Sequence, residues 1–411
     1  MQGASNARHA TFEVLKGVII IHKMVMPGEL CIPQPVTRVG PFRNHFSCPL
    51  QNQVRILLFI DRITNGYLQL QLARPAGAAM VTIPGTISRW TESMTGEMMN
   101  ALKLHYPVHA PGGQVLLPAL STLTDAIVAE LVDACPVKAF HFRKITQYGD
   151  IAADLEALYV APPYDRIFAG SRRKKALGVH LDQVELPMPL LEIIDYFKIH
   201  DHYTYRHLLV VFALSMLLAQ EFFCSADAMQ SVAQACICHD LGKFCIPLAV
   251  LRKTSLLGQD ERCYLEHHSA AGFVLLSYFL KDPRHPAAVT ARDHHERCDG
   301  SGYPRGIPLN YPIVEIVAVC DVFDALVASR PYRPTAYDLR TALEEITDMA
   351  SRGAISWDVA KALVSCNRKD RPPIRECILS REKRGAPPTD NLYMGVGTRE
   401  KSTAGPAGDQ G

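Results

Sequence analysis

Two histidines stand side by side at the head of HHERCDGSGYP, residues 294–304, with a glutamate behind them and a Gly-rich turn beyond. A second polar corner, His239 and Asp240, ends an apolar helical pattern that starts near Ala226, with Gly242 placed as a left-handed cap. Such a pair alone is either a metal-binding corner or a helix-end histidine bonded to its neighbour. The count changes that reading. His207 heads the apolar run LLVVFALSMLLA, and His268 in YLEHHSAAGFVLL lies four residues before Gly272. Asp321 falls inside IVAVCDVFDALV, where an unpaired carboxylate is costly unless something positive meets it. His207, His239, His268, His294, His295, Asp240 and Asp321 make a nitrogen and oxygen donor set without cysteine. That chemistry suits iron, manganese or another first-row ion, is poor for structural zinc, and is sufficient for two ions sharing a bridge.

The elements that must position these groups are nearly all helical. Apolar periodicity recurs around 190–199, 205–221, 226–240, 259–280, 286–295, 313–328 and 336–350, which predicts an all-α domain over 190–366. Ahead of it, residues 1–170 mix strand-like runs (RILLFI, GYLQLQL, QVLLPAL, KAFHFRKI) with one helical stretch, STLTDAIVAELVDAC. A small α/β or α+β domain, regulatory in character, is expected there. Prolines and the basic cluster Arg172–Lys175 mark 171–189 as a linker whose charges form a solvated face, and the polar, Pro- and Gly-rich 367–411 reads as a disordered tail.

Composition removes several classes of function. Hydrophobic residues make up 48% and charged residues 20% of the 411, a globular balance. The 43 basic side chains against 41 acidic ones give a formal charge of +2, so no general field invites a nucleic acid polymer. The apolar run after His207 has only twelve residues and cannot span a bilayer. The amino terminus lacks a hydrophobic core followed by a small-residue cleavage site, so a cytoplasmic location is expected. Twelve cysteines without a CxxC pair read as reduced and mostly buried.

The order H…HD…H…HH…D, with HDLGK at 239–243 and HHERCDGSGYP at 294–304, resembles the HD-GYP family of cyclic di-GMP phosphodiesterases, a bacterial branch of the HD metal-dependent phosphohydrolases. The resemblance covers about 190–365, including DVFDALVASRPYR at 321–333. It implies two divalent transition metals, iron or manganese, held by the seven residues above with Asp240 bridging. It implies hydrolysis of cyclic di-GMP to linear pGpG, GMP or both by a hydroxide shared between the metals. Lys243 then faces the scissile phosphate, Arg330 and Arg333 grip the substrate's phosphates, and Gly302 and Tyr303 lie at the substrate mouth. The same loop is implied to dock GGDEF-domain proteins, and a homodimer is compatible with the family.

Two departures stand out. Tyr203 occupies the position of a glutamate that holds a third metal in some members, so two metals are expected, and Glu315 stands where an arginine is common. Glu296 is either a support for a ligand histidine or a surface carboxylate, Asp324 a similar support, and His200, His202 and His267 surface neighbours. The competing functions are a weakly active cyclic di-GMP receptor or cyclase-docking adaptor, and a hydrolase of another cyclic dinucleotide. A generic HD nucleotidase would not need the GSGYP segment.

Overall fold

The computed structural model describes residues 102–136, 140–255, 257–329 and 335–388, together with five strands nearer the amino terminus. The chain divides into two compact units, Met1–Met98 and Met99–Gly411. In the first, β1 (Thr11–Leu15) and β2 (Val18–Lys23) form an antiparallel pair, while β3 (Leu57–Thr64), β4 (Tyr67–Arg74) and β5 (Gly77–Pro84) form an antiparallel meander. Of two runs read as strands, RILLFI and GYLQLQL, the residues from Leu57 and from Tyr67 onward lie in this meander.

The second unit begins about seventy residues earlier than the expected division at 170. Short pairs β6 (Leu102–Lys103) with β9 (Thr122–Leu123) and β7 (Val108–His109) with β8 (Val115–Leu117) precede α1 (Asp125–Asp133), which Thr124 caps by accepting from the Ile127 amide. These elements pack on the long helix of the second unit, so their apolar faces are completed by the helical core and not by a core of their own. Strand β10 (Phe142–Lys144) pairs with β11 (Glu185–Pro187), and between them run α2 (Ile151–Leu158) and α3 (Ser171–Asp182). The segment expected as a linker is therefore a helix and a strand. Leu177, Leu181, Val184 and Leu186 are all buried, at a spacing the basic cluster had obscured.

The helical body follows: α4 (Met188–His200), α5 (His202–Ala219), α6 (Ala226–Cys238), the single turn α7 (Leu248–Leu251), α8 (Gln259–Leu280), α9 (Pro286–Asp293), α10 (Pro312–Val327), α11 (Leu339–Ser351) and α12 (Trp357–Asn367). Helix α5 is buried on every side from His207 to Ala219, as an all-apolar helix must be. It packs against α4, α6 and α10, while α9 lies against α8 and α6. The Asp201 carboxylate starts it by accepting from the Thr204 amide and hydroxyl. Among the described residues no helix is long and apolar enough to cross a membrane, and every cysteine is a free thiol, six of them buried.

The described part of the expected tail, 367–388, follows the helices. Cys377 is buried, the Gly385 amide donates to Glu344, and Arg371 donates to the backbone carbonyls of Arg166 and Ile167. Residues 389–411 lie outside the described residues.

Candidate metal centre

Five elements converge on one buried point. Helix α5 carries His207, the end of α6 carries His239 and Asp240, α8 carries His268, the end of α9 carries His294 and His295, and α10 carries Asp321. The donor atoms fall into two groups, one of His207, His239 and Asp321 and the other of Asp240, His268, His294 and His295. Asp240 faces both. Its Oδ2 is 3.4 Å from His207 Nε2 and 3.5 Å from His239 Nε2, and its Oδ1 is 3.3 Å from His268 Nε2 and 3.7 Å from His294 Nε2. Asp321 Oδ1 lies 3.1 Å from the same His207 Nε2.

The close approach of α8 to Asp240 depends on two glycines. Asp240 is followed by a 3-10 turn, Leu241–Cys245, and not by the left-handed cap that Gly242 suggested. A Cβ on Gly242 would meet the His268 carbonyl oxygen at 1.9 Å and the Gly272 amide nitrogen at 2.4 Å. Gly242 and Gly272 thus let the turn lie directly on the helix, which sets Asp240 beside His268.

A surrounding layer orients the imidazoles. His239 Nδ1 donates to the Cys236 carbonyl at 2.7 Å, His268 Nδ1 to the Leu265 carbonyl, and His294 Nδ1 to the Thr290 and Ala291 carbonyls, both at 3.0 Å. With those protons on Nδ1, each Nε2 turns a lone pair inward. Nε2 atoms then face one another at 3.1 Å (His295 and His268) and 3.3 Å (His268 and His294). Burial lowers the pKa of His268 and of His294 to about 4, and holds His239 and His295 below the usual histidine range, so these rings are neutral at pH 7. His207 is the exception. Burial works against its charge, but hydrogen bonds to Asp240, Asp321 and Asp324 outweigh it and raise its pKa to about 10. For Asp240 and Asp321 burial is likewise overcome, by Lys243 and the histidines in one case and by His207 and His295 in the other, and both remain ionised.

This donor set fits divalent ions. Asp240 Oδ1 is buried without a hydrogen-bond partner, and neutral imidazoles aim lone pairs at the same space, an arrangement that a cation would relieve. Lys243, on the 3-10 turn, places Nζ 2.5 Å from Asp240 Oδ2 and is partly open to solvent.

The GSGYP segment folds back over the second donor group. Gly300 has a φ of +76°, as a sharp reversal requires, but Gly302 is needed for a different reason. Its Cβ would meet the His295 carbonyl oxygen at 2.3 Å and the Glu296 Cα at 2.4 Å. The Tyr303 amide donates to that carbonyl at 3.2 Å, and the Tyr303 ring stacks on His295 with centroids 4.5 Å apart. Glu296 neither supports a ligand histidine nor lies on the surface. It is fully buried, and its carboxylate accepts from the amides of Arg305 at 2.6 Å and Ile307 at 3.1 Å, fastening the far end of the loop. Asp293 adds a second anchor by pairing with Arg292 and Arg305.

Other expectations resolve individually. Asp324 does support a donor, accepting from His207 Nδ1 at 2.7 Å, while His200 and His202 are exposed. His267 is not a surface neighbour: it is buried, and its ring edge packs on Tyr106. Tyr203 lies parallel to the His207 ring one helical turn away, so no carboxylate is supplied there. Glu315 stands in the first turn of α10, where a negative charge suits the helix amino terminus. Arg330 and Arg333 lie outside the described residues. Tyr164 was missed altogether. Its hydroxyl donates to Asp324 Oδ1, with the Arg206 guanidinium 5.2 Å from its ring centroid, and only its place after two prolines hinted at a fixed position.

Residues 193–355 match the family model described as an HD domain. The chain is 39% identical over 144 residues to the cyclic di-GMP phosphodiesterase response regulator RpfG of Xanthomonas campestris, covering 34% of this chain and 36% of that protein. It is 37% identical over 183 residues to a cyclic di-GMP phosphodiesterase of Thermotoga maritima, covering 44% and 49%. A third relative, 3'3'-cGAMP-specific phosphodiesterase 1 of Vibrio cholerae, is 30% identical over 164 residues, covering 39% and 36%. The chain thus spans half or less of the length of these curated relatives.

Proposed function

The helical domain belongs to the HD-GYP family of HD domain proteins, and on that premise we propose that its centre hydrolyses a phosphodiester bond of cyclic di-GMP, releasing linear pGpG, GMP or both. The observation that carries this reading is the Asp240 carboxylate, which turns one oxygen toward each of two donor groups. Its support is that His207, His239 and Asp321 would hold one ion and His268, His294 and His295 another, with Asp240 near the donors of both groups. Bound there, two divalent ions, iron or manganese, would supply a water-derived nucleophile at neutral pH and charge stabilisation for phosphoryl oxygens.

The chain's own groups perform the remaining work. The neutral imidazoles of His239, His268, His294 and His295 and the ionised aspartates offer donors already in place, whereas His207 must give up a proton to join them. The Lys243 ammonium lies against Asp240 at the edge of the cluster, its side chain partly open to solvent, where a phosphate oxygen gaining charge would meet it. Arg330 and Arg333, three residues apart, supply forked donors for the substrate's phosphates. Tyr303, stacked on His295, and Gly302 beneath it form one edge of the mouth, and this edge is also where a GGDEF-domain partner or a second copy would dock. The protein is read as a cytoplasmic bacterial signalling enzyme.

The decisive assay is turnover of cyclic di-GMP by protein prepared without oxygen and reconstituted with Fe2+ or Mn2+, with products separated. Accumulation of pGpG or GMP is expected. Binding without cleavage, with both metals present, would overturn the enzyme reading in favour of a receptor. Because one relative is named for 3'3'-cGAMP, that dinucleotide belongs in the same assay, and faster cleavage of it would reassign the substrate.

A further inference from the structure

The hydroxyl of Tyr164 reaches the metal centre from outside the residues that match the HD domain model, 193–355. It donates to Oδ1 of Asp324, whose Oδ2 accepts from His207 Nδ1 at 2.7 Å. Tyr164, Asp324 and His207 are all buried, so none of these bonds has water as an alternative partner. Arg206 completes the group, with NH1 3.7 Å from Asp324 Oδ1 and its guanidinium over the Tyr164 ring.

A carboxylate held at one oxygen only can swing about its Cβ–Cγ bond. Asp324 is held at both, and the plane of its carboxylate dictates the rotation of the His207 ring. From this geometry we infer that Tyr164 is a positioning residue for His207: through Asp324 it aims the Nε2 of His207 and thereby sets the metal affinity of the His207, His239 and Asp321 group. In the other donor group, His268 and His294 are oriented instead by carbonyls of their own helices.

Tyr164 is well placed for this work because its segment is itself fixed. Tyr159, Ile167 and Phe168 are buried beside it. Arg371, arriving after α12, donates to the carbonyls of Arg166 and Ile167, and Arg173 donates to Ile167 as well. Segment 159–170 thus joins the asymmetric support of the two metal positions to a part of the chain that precedes the HD domain.

The inference rests on the metal-centre reading, and the test separates the two. Metal-free wild type and Tyr164→Phe are titrated with Mn2+ against a chelator, and coupled and isolated Mn2+ are distinguished by electron paramagnetic resonance. Phenylalanine keeps the ring packing and removes only the donor. Wild type is expected to bind two equivalents. In Y164F one of the two should weaken by roughly 10-fold, within the range for loss of an outer partner of a metal ligand, and isolated Mn2+ should appear at substoichiometric loading. In an Asp324→Asn background the same substitution should have no further effect, since its influence passes through that carboxylate. Unchanged affinity for both equivalents, equal weakening of both, or a full effect persisting in D324N would overturn the inference while leaving the centre intact. Wild type that binds no Mn2+ would overturn the centre and this inference together.

Discussion

Gly242→Ala tests whether backbone contact between the 3-10 turn and α8 builds the centre. The added Cβ would lie 1.9 Å from the His268 carbonyl oxygen and 2.4 Å from the Gly272 amide nitrogen, both backbone atoms that cannot rotate away. Reaching ordinary contact at 3.4 Å requires the turn and helix to separate by roughly 1.5 Å, an overpacking change that costs about 1–3 kcal/mol or more. Asp240 Oδ1 now sits 3.3 Å from His268 Nε2, so the same displacement takes the pair beyond the reach of one shared ion. Metal analysis of G242A should show the His268, His294 and His295 position depleted, and thermal unfolding should begin several degrees lower. Turnover should fall with metal content. Wild-type metal content and midpoint in G242A would refute the argument, because they would mean that the turn can shift without moving Asp240.

Asp240→Ala removes a carboxylate that faces both donor groups, so metal content and turnover should fall together; one retained zinc and no second ion in the wild type, by elemental analysis, would contradict two positions. Lys243→Ala should keep both metals and slow hydrolysis by roughly 10²–10³, and an unchanged rate would remove Lys243 from the mechanism. Arg330→Ala with Arg333→Ala should raise KM much more than it lowers kcat, and unaltered kinetics would assign both arginines to the scaffold. Metal-free protein should lose stability as pH falls from 6.5 toward 4. Over that range the unfolded chain takes up protons that His268 and His294, with pKa values of about 4, refuse while folded. His207 does not oppose this, since its stabilisation is complete below 6.5 and is lost only as pH rises toward 10. The thermal midpoint at pH 7 and at pH 4.5 measures the effect, and equal values would refute it.

The donors were legible because each breaks an apolar pattern. A histidine or aspartate inside a Val- and Leu-rich helix has few stable alternatives to pairing or metal binding, and the seven stand out for that reason. The helices carrying them were legible too, from 190–199 to 336–350, since their apolar stripes are long. What escaped detection depends on tertiary contact. Gly242 and Gly302 each look like turn residues, and only the approach of another backbone shows that steric room is what matters there. Glu296 binds amides nine and eleven residues away, a pairing with no periodic signature. The helix at Ser171–Asp182 hid behind a basic cluster, and the strands before it lacked an apolar face large enough to mark which core they complete.

Those misses share a physical consequence for how the domain boundary should be drawn. A donor histidine needs a second partner to fix its ring, and for most of the set that partner is a carbonyl of the same helix, available wherever the helix forms. His207, inside α5, takes its second partner from another helix instead. Asp324 supplies it from α10, and a buried carboxylate with one oxygen satisfied requires a donor for the other. Tyr164 meets that need from a segment whose own pattern places it outside the helical domain. The unit that holds the candidate metal centre therefore extends well ahead of residue 190, and Tyr164 is part of it.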